Sequence, residues 1–150
     1  MRTLGLDVGT KTIGVAVSDG LGLTAQAITT IRRTNLKADL AALAELAREH
    51  EASRMVVGLP LNMDGTEGAR AEASRKFGDA ASQAVGLPVE FWDERLSTVA
   101  AERTLLEADL TRARRRQVID QVAAQFILQG WLDARRPAED LHADDFDPES

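Results

Sequence analysis

The chain has 150 residues, of which 44% are hydrophobic and 28% charged, with a formal net charge of −6 and no cysteine. That length suits one domain with a single sizeable core, and the lack of thiols excludes disulfides, thiolate zinc sites and cysteine nucleophiles. The two histidines, His50 and His142, have no partner at metal-ligand spacing, so any metal must be held by oxygen. No apolar run approaches the length of a membrane span and no signal peptide is visible, because the N-terminus enters a strand pattern at once; a cytoplasmic setting is expected.

Taken in chain order, residues 3–8 alternate, with Leu4, Leu6 and Val8 on one face and Thr3, Gly5 and Asp7 on the other. Residues 12–18 do the same, Ile13, Val15 and Val17 opposing Gly14, Ala16 and Ser18, and the short Gly9-Thr10-Lys11 connection makes the pair a hairpin. A turn at Asp19-Gly20 leads to a third strand over roughly residues 23–31, which completes an antiparallel meander. The period then becomes helical: after a Thr34-Asn35 cap signal, Leu36, Leu40, Leu43, Ala44 and Ala47 share a face. MVVGL (55–59) reads as a buried parallel strand, and PLNMDGTEG as the loop that follows it. Ala69, Ala73, Phe77, Ala80, Ala81 and Ala84 mark a second helix that Gly86 and Pro88 terminate. VEFW (89–92) is the fifth strand. Ser97 or Thr98 caps a helix over about 98–108, and a charged connector leads to a final helix over about 115–135. The order βββαβαβαα predicts an α/β fold: a mixed five-stranded sheet, three antiparallel strands followed by parallel additions, with helices on both faces.

Charge is unevenly spread. Residues 139–150 hold six acids (Glu139, Asp140, Asp144, Asp145, Asp147, Glu149) and no Lys or Arg; without them residues 1–138 are formally neutral. The expected organisation is therefore one domain over 1–138 and an acidic, disordered tail over 139–150. Within the domain, Arg112, Arg114, Arg115 and Arg116 cluster in TRARRRQ, where they can meet backbone phosphates or simply solvate a helix start, and Arg32, Arg33 and Lys37 form a second basic group. The tail can compete with nucleic acid for the arginine cluster. The whole-chain pI of about 4.9 thus says little about the working face.

Three acids sit where packing alone does not ask for them. Asp7 lies mid-strand on a face of very small residues, Gly5 beside it and Gly14 and Ala16 across the hairpin, and such a face lets another element approach closely. On a helical wheel Asp120 is surrounded by Ala123, Ala124, Ile127 and Trp131, the centre of an apolar stripe that should dock on that face and bring Asp120 towards Asp7. WDERLST (92–98) ends a strand at the carboxyl edge of the sheet, with Asp93 and Glu94 on opposite faces, so only one of them can join the cluster. Carboxylates gathered together repel and raise one another's pKa. A divalent cation such as Mg2+ or Mn2+ relieves this, and two such ions about 4 Å apart can activate water against a phosphodiester.

Each acid also has a plainer reading: a backbone hydrogen bond for Asp7, the helix macrodipole for Asp120, surface pairing with Arg95 or Arg103 for Asp93 and Glu94. Only convergence separates the two readings. PLNMDGTEG is either a phosphate cradle at a helix N-terminus or an ordinary loop with an Asp64-Gly65 turn. Trp92 and Trp131 read as core rather than base-stacking platforms, Asp19 as a turn residue and His50 as surface.

Four motifs in order, GLDVGTKTIGVAVSD, VVGLPLNMDGTEG, FWDERLST and DQVAAQFILQGWLD, resemble the YqgF/RuvX family across nearly all of residues 1–136. That family belongs to the ribonuclease H-like superfamily, which also holds the RuvC Holliday junction resolvases. It is described both as Holliday junction resolvases and, in bacteria, as nucleases maturing pre-16S rRNA during ribosome biogenesis. The resemblance implies a ribonuclease H-like sheet and a metal-dependent hydrolase of phosphodiester bonds. It implies Asp7, Glu94 and Asp120 as catalytic and metal-holding acids, with Asp93 the substitute for Glu94. Arg95, Ser97 and Thr98 are then substrate-side candidates, and Lys11, Arg112, Arg114, Arg115 and Arg116 candidate nucleic-acid contacts. The partner is RNA or branched DNA; paired cuts in a junction invite a homodimer, whereas trimming a precursor RNA needs only a monomer.

Two other classes compete. The sugar-kinase, actin and heat-shock chaperone ATPases open with a similar Asp-x-Gly-Thr hairpin, but they need two such domains around a nucleotide. A non-catalytic nucleic-acid-binding module would keep its function when Asp7 is neutralised.

Overall fold

A computed structural model of the chain describes residues 1–96 and 121–135. The element order is β1 (Arg2–Val8), β2 (Thr12–Ser18), β3 (Ala25–Arg32), α1 (Leu36–Glu49), β4 (Ala52–Leu59), α2 (Ala69–Val85) and β5 (Val89–Asp93), followed by a 3-10 turn over Glu94–Leu96. A further helical stretch covers 121–135. The strands form one sheet in the order β3-β2-β1-β4-β5, so β1 is central. β1, β2 and β3 pair antiparallel, and β1, β4 and β5 pair parallel. This is the mixed α/β sheet that the alternation and the change of period predict.

The start of β3 differs by two residues from expectation. The Asp19 carboxylate accepts hydrogen bonds from the backbone N–H of Leu23 (2.7 Å) and Thr24 (3.2 Å), which keeps both residues in the turn. The helix ends follow the sequence signals. Asn35 caps α1 by accepting from Ala38 N–H at 2.9 Å, and Gly86 closes α2 in the left-handed conformation at φ 80°.

The two faces of the sheet carry different cores. On one, Leu4, Leu6, Val8, Ile13, Val15, Met55 and Val57 pack beneath Leu43 and Ala47 of α1 and Phe77 and Ala81 of α2. On the other, Ala16, Ala25 and Val56 meet Ala123, Ala124, Ile127, Leu128, Trp131 and Leu132 of the 121–135 helix. Two side-chain amides fix that helix to the start of β3: Gln129 Oε1 accepts from Ala25 N–H (2.9 Å), and Gln125 Nε2 donates to the Ala25 carbonyl (3.0 Å). Helices therefore cover both faces. Among the described residues, no helix is long and apolar enough to cross a membrane.

Candidate active site

The site is built on the small-residue face of the three central strands. Asp7 pairs with Gly14 of β2, and Gly14 pairs in turn with Thr30 of β3. On the other side the β1–β4 register runs through Leu6 and Val57, which sets Asp7 level with Gly58, and Gly58 pairs with Trp92 of β5. Cross-strand partners share a face. Thr30, Gly14, Asp7, Gly58 and Trp92 thus form one line across the whole sheet. Asp7 is only 6% exposed.

Two glycines on this face are required by close approach. A Cβ on Gly5 would lie 2.6 Å from Leu128 Cβ and 3.1 Å from the Ala124 carbonyl oxygen; one on Gly58 would lie 2.4 Å from Ile127 Cδ1 and 2.9 Å from Glu94 Oε2. The bare backbone at Gly58 therefore accommodates the helix and the Glu94 carboxylate together. Glu94 thus stands on the face of Asp7, one strand away.

Asp93 is engaged elsewhere. Its carboxylate accepts from Arg95 Nε (3.1 Å) and Nη2 (2.8 Å) and from Arg95 N–H (2.9 Å). These side-chain hydrogen bonds, with the backbone bond and the charge of the guanidinium, hold the Asp93 carboxyl below its ordinary pKa against the opposing effect of burial. Of the adjacent acids, the structure sets Glu94 beside Gly58 and ties Asp93 to Arg95. Arg95, a candidate substrate contact, also donates from Nη1 to the Met63 carbonyl (3.2 Å), so it joins the 60–68 loop to the end of β5. That loop is an Asp64-Gly65 turn with Gly65 at φ 89°, closed by Asp64 Oδ1 accepting from Thr66 N–H (3.0 Å) and its hydroxyl (2.6 Å).

The 121–135 helix runs against the direction of β1. Ala124 and Leu128 stand over Gly5, and Trp131 lies beneath Arg54, which is paired with Thr3 near the start of β1. The first described turn of this helix is consequently the one towards the Asp7 end of the strand. Asp120, immediately before it, lies outside the described residues, as do Ser97, Thr98, Arg112, Arg114, Arg115, Arg116 and the 139–150 segment. Among the described residues there is no group of three or more His, Cys, Asp or Glu side chains able to hold a metal. Both tryptophans pack in the second core, Trp131 buried and Trp92 partly so.

The hairpin after Asp7 is held by a pair that the sequence reading passed over. Asp39 of α1, only 2% exposed, accepts from Arg33 Nε (3.2 Å) and from Thr34 N–H (3.1 Å). Arg33 Nη1 donates to the Gly9 carbonyl at 2.8 Å while its guanidinium lies 5.3 Å from the centre of the Phe77 ring. Arg33 is therefore a brace for the Gly9–Lys11 turn rather than part of a free basic group with Arg32 and Lys37. Lys11, at the tip of that turn, is exposed.

Comparison with known proteins agrees with this fold. The sequence pattern of the RuvX family, described as Holliday junction resolvase, matches residues 1–134. A Myxococcus xanthus protein named "putative pre-16S rRNA nuclease" is 76% identical over 150 residues, covering 99% of each chain. One of the same name from Moorella thermoacetica is 68% identical over 133 residues, 89% of this chain and 95% of its own. Among solved structures, Thermus thermophilus RuvC in complex with a Holliday junction substrate aligns with a TM-score of 0.58 at 17% identity, covering 91% of this chain and 96% of that one. The fowlpox virus Holliday junction resolvase aligns with a TM-score of 0.52 at 14% identity, covering 89% and 99%. The fold is that of the ribonuclease H-like resolvases, and the class is a nuclease, a hydrolase of nucleic-acid phosphodiester bonds. The chain belongs to the RuvX family.

Proposed function

We propose that the protein is a divalent-metal-dependent nuclease that trims the precursor of 16S rRNA, with Asp7, Glu94 and Asp120 as its acidic triad. The observation that carries this is the buried Asp7 level with Gly58, above which Glu94 places a carboxylate oxygen. The donors are carboxylate oxygens alone, the set preferred by Mg2+ or Mn2+ over softer metals. Bound there, such ions offset the repulsion between the acids, lower the pKa of water and stabilise a leaving oxygen. Asp7 is held by the central strand and cannot swing away. Glu94 comes from the turn after β5, and Asp120 directly precedes residue 121 in sequence, where the described part of the docked helix begins. Lys11, at the tip of the braced turn, and Arg112, Arg114, Arg115 and Arg116 meet backbone phosphates and give affinity without reading sequence. The setting is the cytoplasm, where rRNA precursors are processed.

The RNA reading rests on the names of relatives at 76% and 68% identity. The second reading, resolution of four-way DNA junctions, is supported by the description of the family and by the likeness in fold to junction resolvases. A cleavage panel with Mn2+ or Mg2+ separates them: a structured precursor rRNA fragment, a four-way DNA junction, a linear duplex and single strands, each with the native chain and with Asp7→Asn. Preferential cutting of the rRNA fragment, lost in Asp7→Asn, is expected. Preference for the junction with paired symmetric cuts would transfer the function to recombination and require a two-fold dimer. Cutting that survives in Asp7→Asn would overturn the triad.

A further inference from the structure

The turn that follows Asp7 is held from outside its own hairpin. The hairpin already closes it, with Gly9 N–H donating to the Thr12 carbonyl at 2.9 Å. Arg33, at the junction of β3 and α1, takes two further carbonyls of the turn. Its backbone N–H donates to the Lys11 carbonyl (2.9 Å) and its Nη1 to the Gly9 carbonyl (2.8 Å). The guanidinium is itself fixed from behind: Nε donates to Asp39 (3.2 Å), and the group lies 5.3 Å from the centre of the Phe77 ring. Asp39 is 2% exposed, and its other oxygen accepts from Thr34 N–H at 3.1 Å. Through one side chain, both α1 and α2 bear on the turn.

A buried ion pair is a poor source of stability, because removing both charges from water offsets most of their attraction. What this pair supplies is geometry. The planar guanidinium presents its N–H donors at fixed angles, so a position set by Asp39 and Phe77 is passed on to the Gly9 carbonyl. Gly9 lies two residues beyond Asp7, about 7 Å along the strand, and Lys11 stands exposed two residues further on. We propose that Arg33 is a positioning residue of the nuclease site: backed by Asp39, it holds the Gly9–Lys11 turn in the conformation that presents Lys11 to a phosphate of the bound strand. Ordering the turn in advance spares the complex that entropy on binding. Arg33 does not touch the substrate, since its guanidinium is committed to Asp39, the Gly9 carbonyl and Phe77. The inference rests on the proposed reading of Lys11 as a phosphate contact beside the Asp7 centre.

The test measures the affinity of the full chain for the structured precursor rRNA fragment and, in parallel, for the four-way DNA junction. Divalent metal is left out so that no strand is cut. Arg33→Lys keeps a cation for Asp39 but lacks the planar fork that also reaches the Gly9 carbonyl. It should weaken binding about tenfold, the cost of ordering roughly one residue of backbone. Lys11→Ala should also weaken binding about tenfold, for the lost contact with a charged group. Adding Arg33→Lys to Lys11→Ala should weaken it by no more than about twofold further, because the turn then has nothing to present. If Arg33→Lys is too unstable to assay, Arg33→Gln combined with Asp39→Asn breaks the same fork without leaving a charge buried, and the same pattern is expected of it. Native affinity in Arg33→Lys, or no loss in Lys11→Ala, would overturn the proposal. Equal losses from Arg33→Lys with and without Lys11 would overturn it too, and make Arg33 a direct contact or a support of the whole fold. A failure of the triad is read separately, as Mn2+-dependent cutting by Asp7→Asn, and leaves this cycle unchanged.

Discussion

The two faces of one sheet are built from the same strands yet do opposite work. Leu4 and Leu6 of β1 point into a core roofed by α1 and α2, where Leu, Ile and Val predominate around Met55 and Phe77. Gly5 and Asp7, one residue away along the chain, lie on a face whose central positions Gly5, Gly14, Ala16 and Gly58 are small, and a helix lies almost on the backbone at Gly5 and Gly58. Strand alternation makes this division possible. A residue can be changed for chemistry on one face while its neighbours on the other continue to hold the fold. The difference teaches that small residues let a helix pack almost on the backbone on the face that also carries the buried Asp7.

The strongest way to break the comparison is to injure each face in turn. Leu6→Ala should cost about 2–5 kcal/mol of stability, read by chemical denaturation, while folded molecules keep native kcat and Mn2+ affinity. Gly5→Ala should cost less, about 1–3 kcal/mol, because Leu128 Cβ and the Ala124 carbonyl can retreat only by lifting the helix. It should nonetheless depress cleavage at temperatures where the chain remains folded. Equal loss of activity per folded molecule in the two variants would erase the distinction between the faces.

A smaller effect sharpens the contrast between the adjacent acids. The folded-state pKa of Asp93 is lowered, first by the hydrogen bonds from Arg95, so its contribution to stability is present above the ordinary carboxylate value of 3.8 and lost as pH falls through the lowered one. The pair is partly exposed, at 42% for Arg95 and 19% for Asp93, so solvent screens it and its contribution is small. Arg95→Gln should therefore be slightly less stable than the native chain at neutral pH and indistinguishable from it well below pH 3.8. A difference that persisted into strong acid would mean that Arg95 acts through the Met63 carbonyl and the 60–68 loop instead.

Much of this was legible before any coordinates. The alternation around Asp7 and the stripe of Ala123, Ala124, Ile127 and Trp131 are local patterns, and they sufficed to predict which helix docks on which face. Alternation also put Asp93 and Glu94 on opposite faces, but it could not say which of them shares a face with Asp7; that depends on the pairing of Gly58 with Trp92. Gly58 itself was hidden within MVVGL, where a glycine in an apolar run looks incidental until Ile127 and Glu94 are seen above it. Arg33 and Asp39 escaped notice because they are six residues apart across a strand-to-helix junction, a spacing that matches no helical pair. An isolated buried acid in the first turn of a helix, close after an arginine, was the available signal.

The central claim is that the small-residue face seats carboxylates in order to hold a divalent cation. Isothermal titration of the native chain with Mn2+, beside Asp7→Asn and Glu94→Gln, tests it most directly. The account predicts heat of binding for the native chain, none for Asp7→Asn and a strongly weakened response for Glu94→Gln, with all three equally folded. Undiminished Mn2+ binding by Asp7→Asn would contradict it.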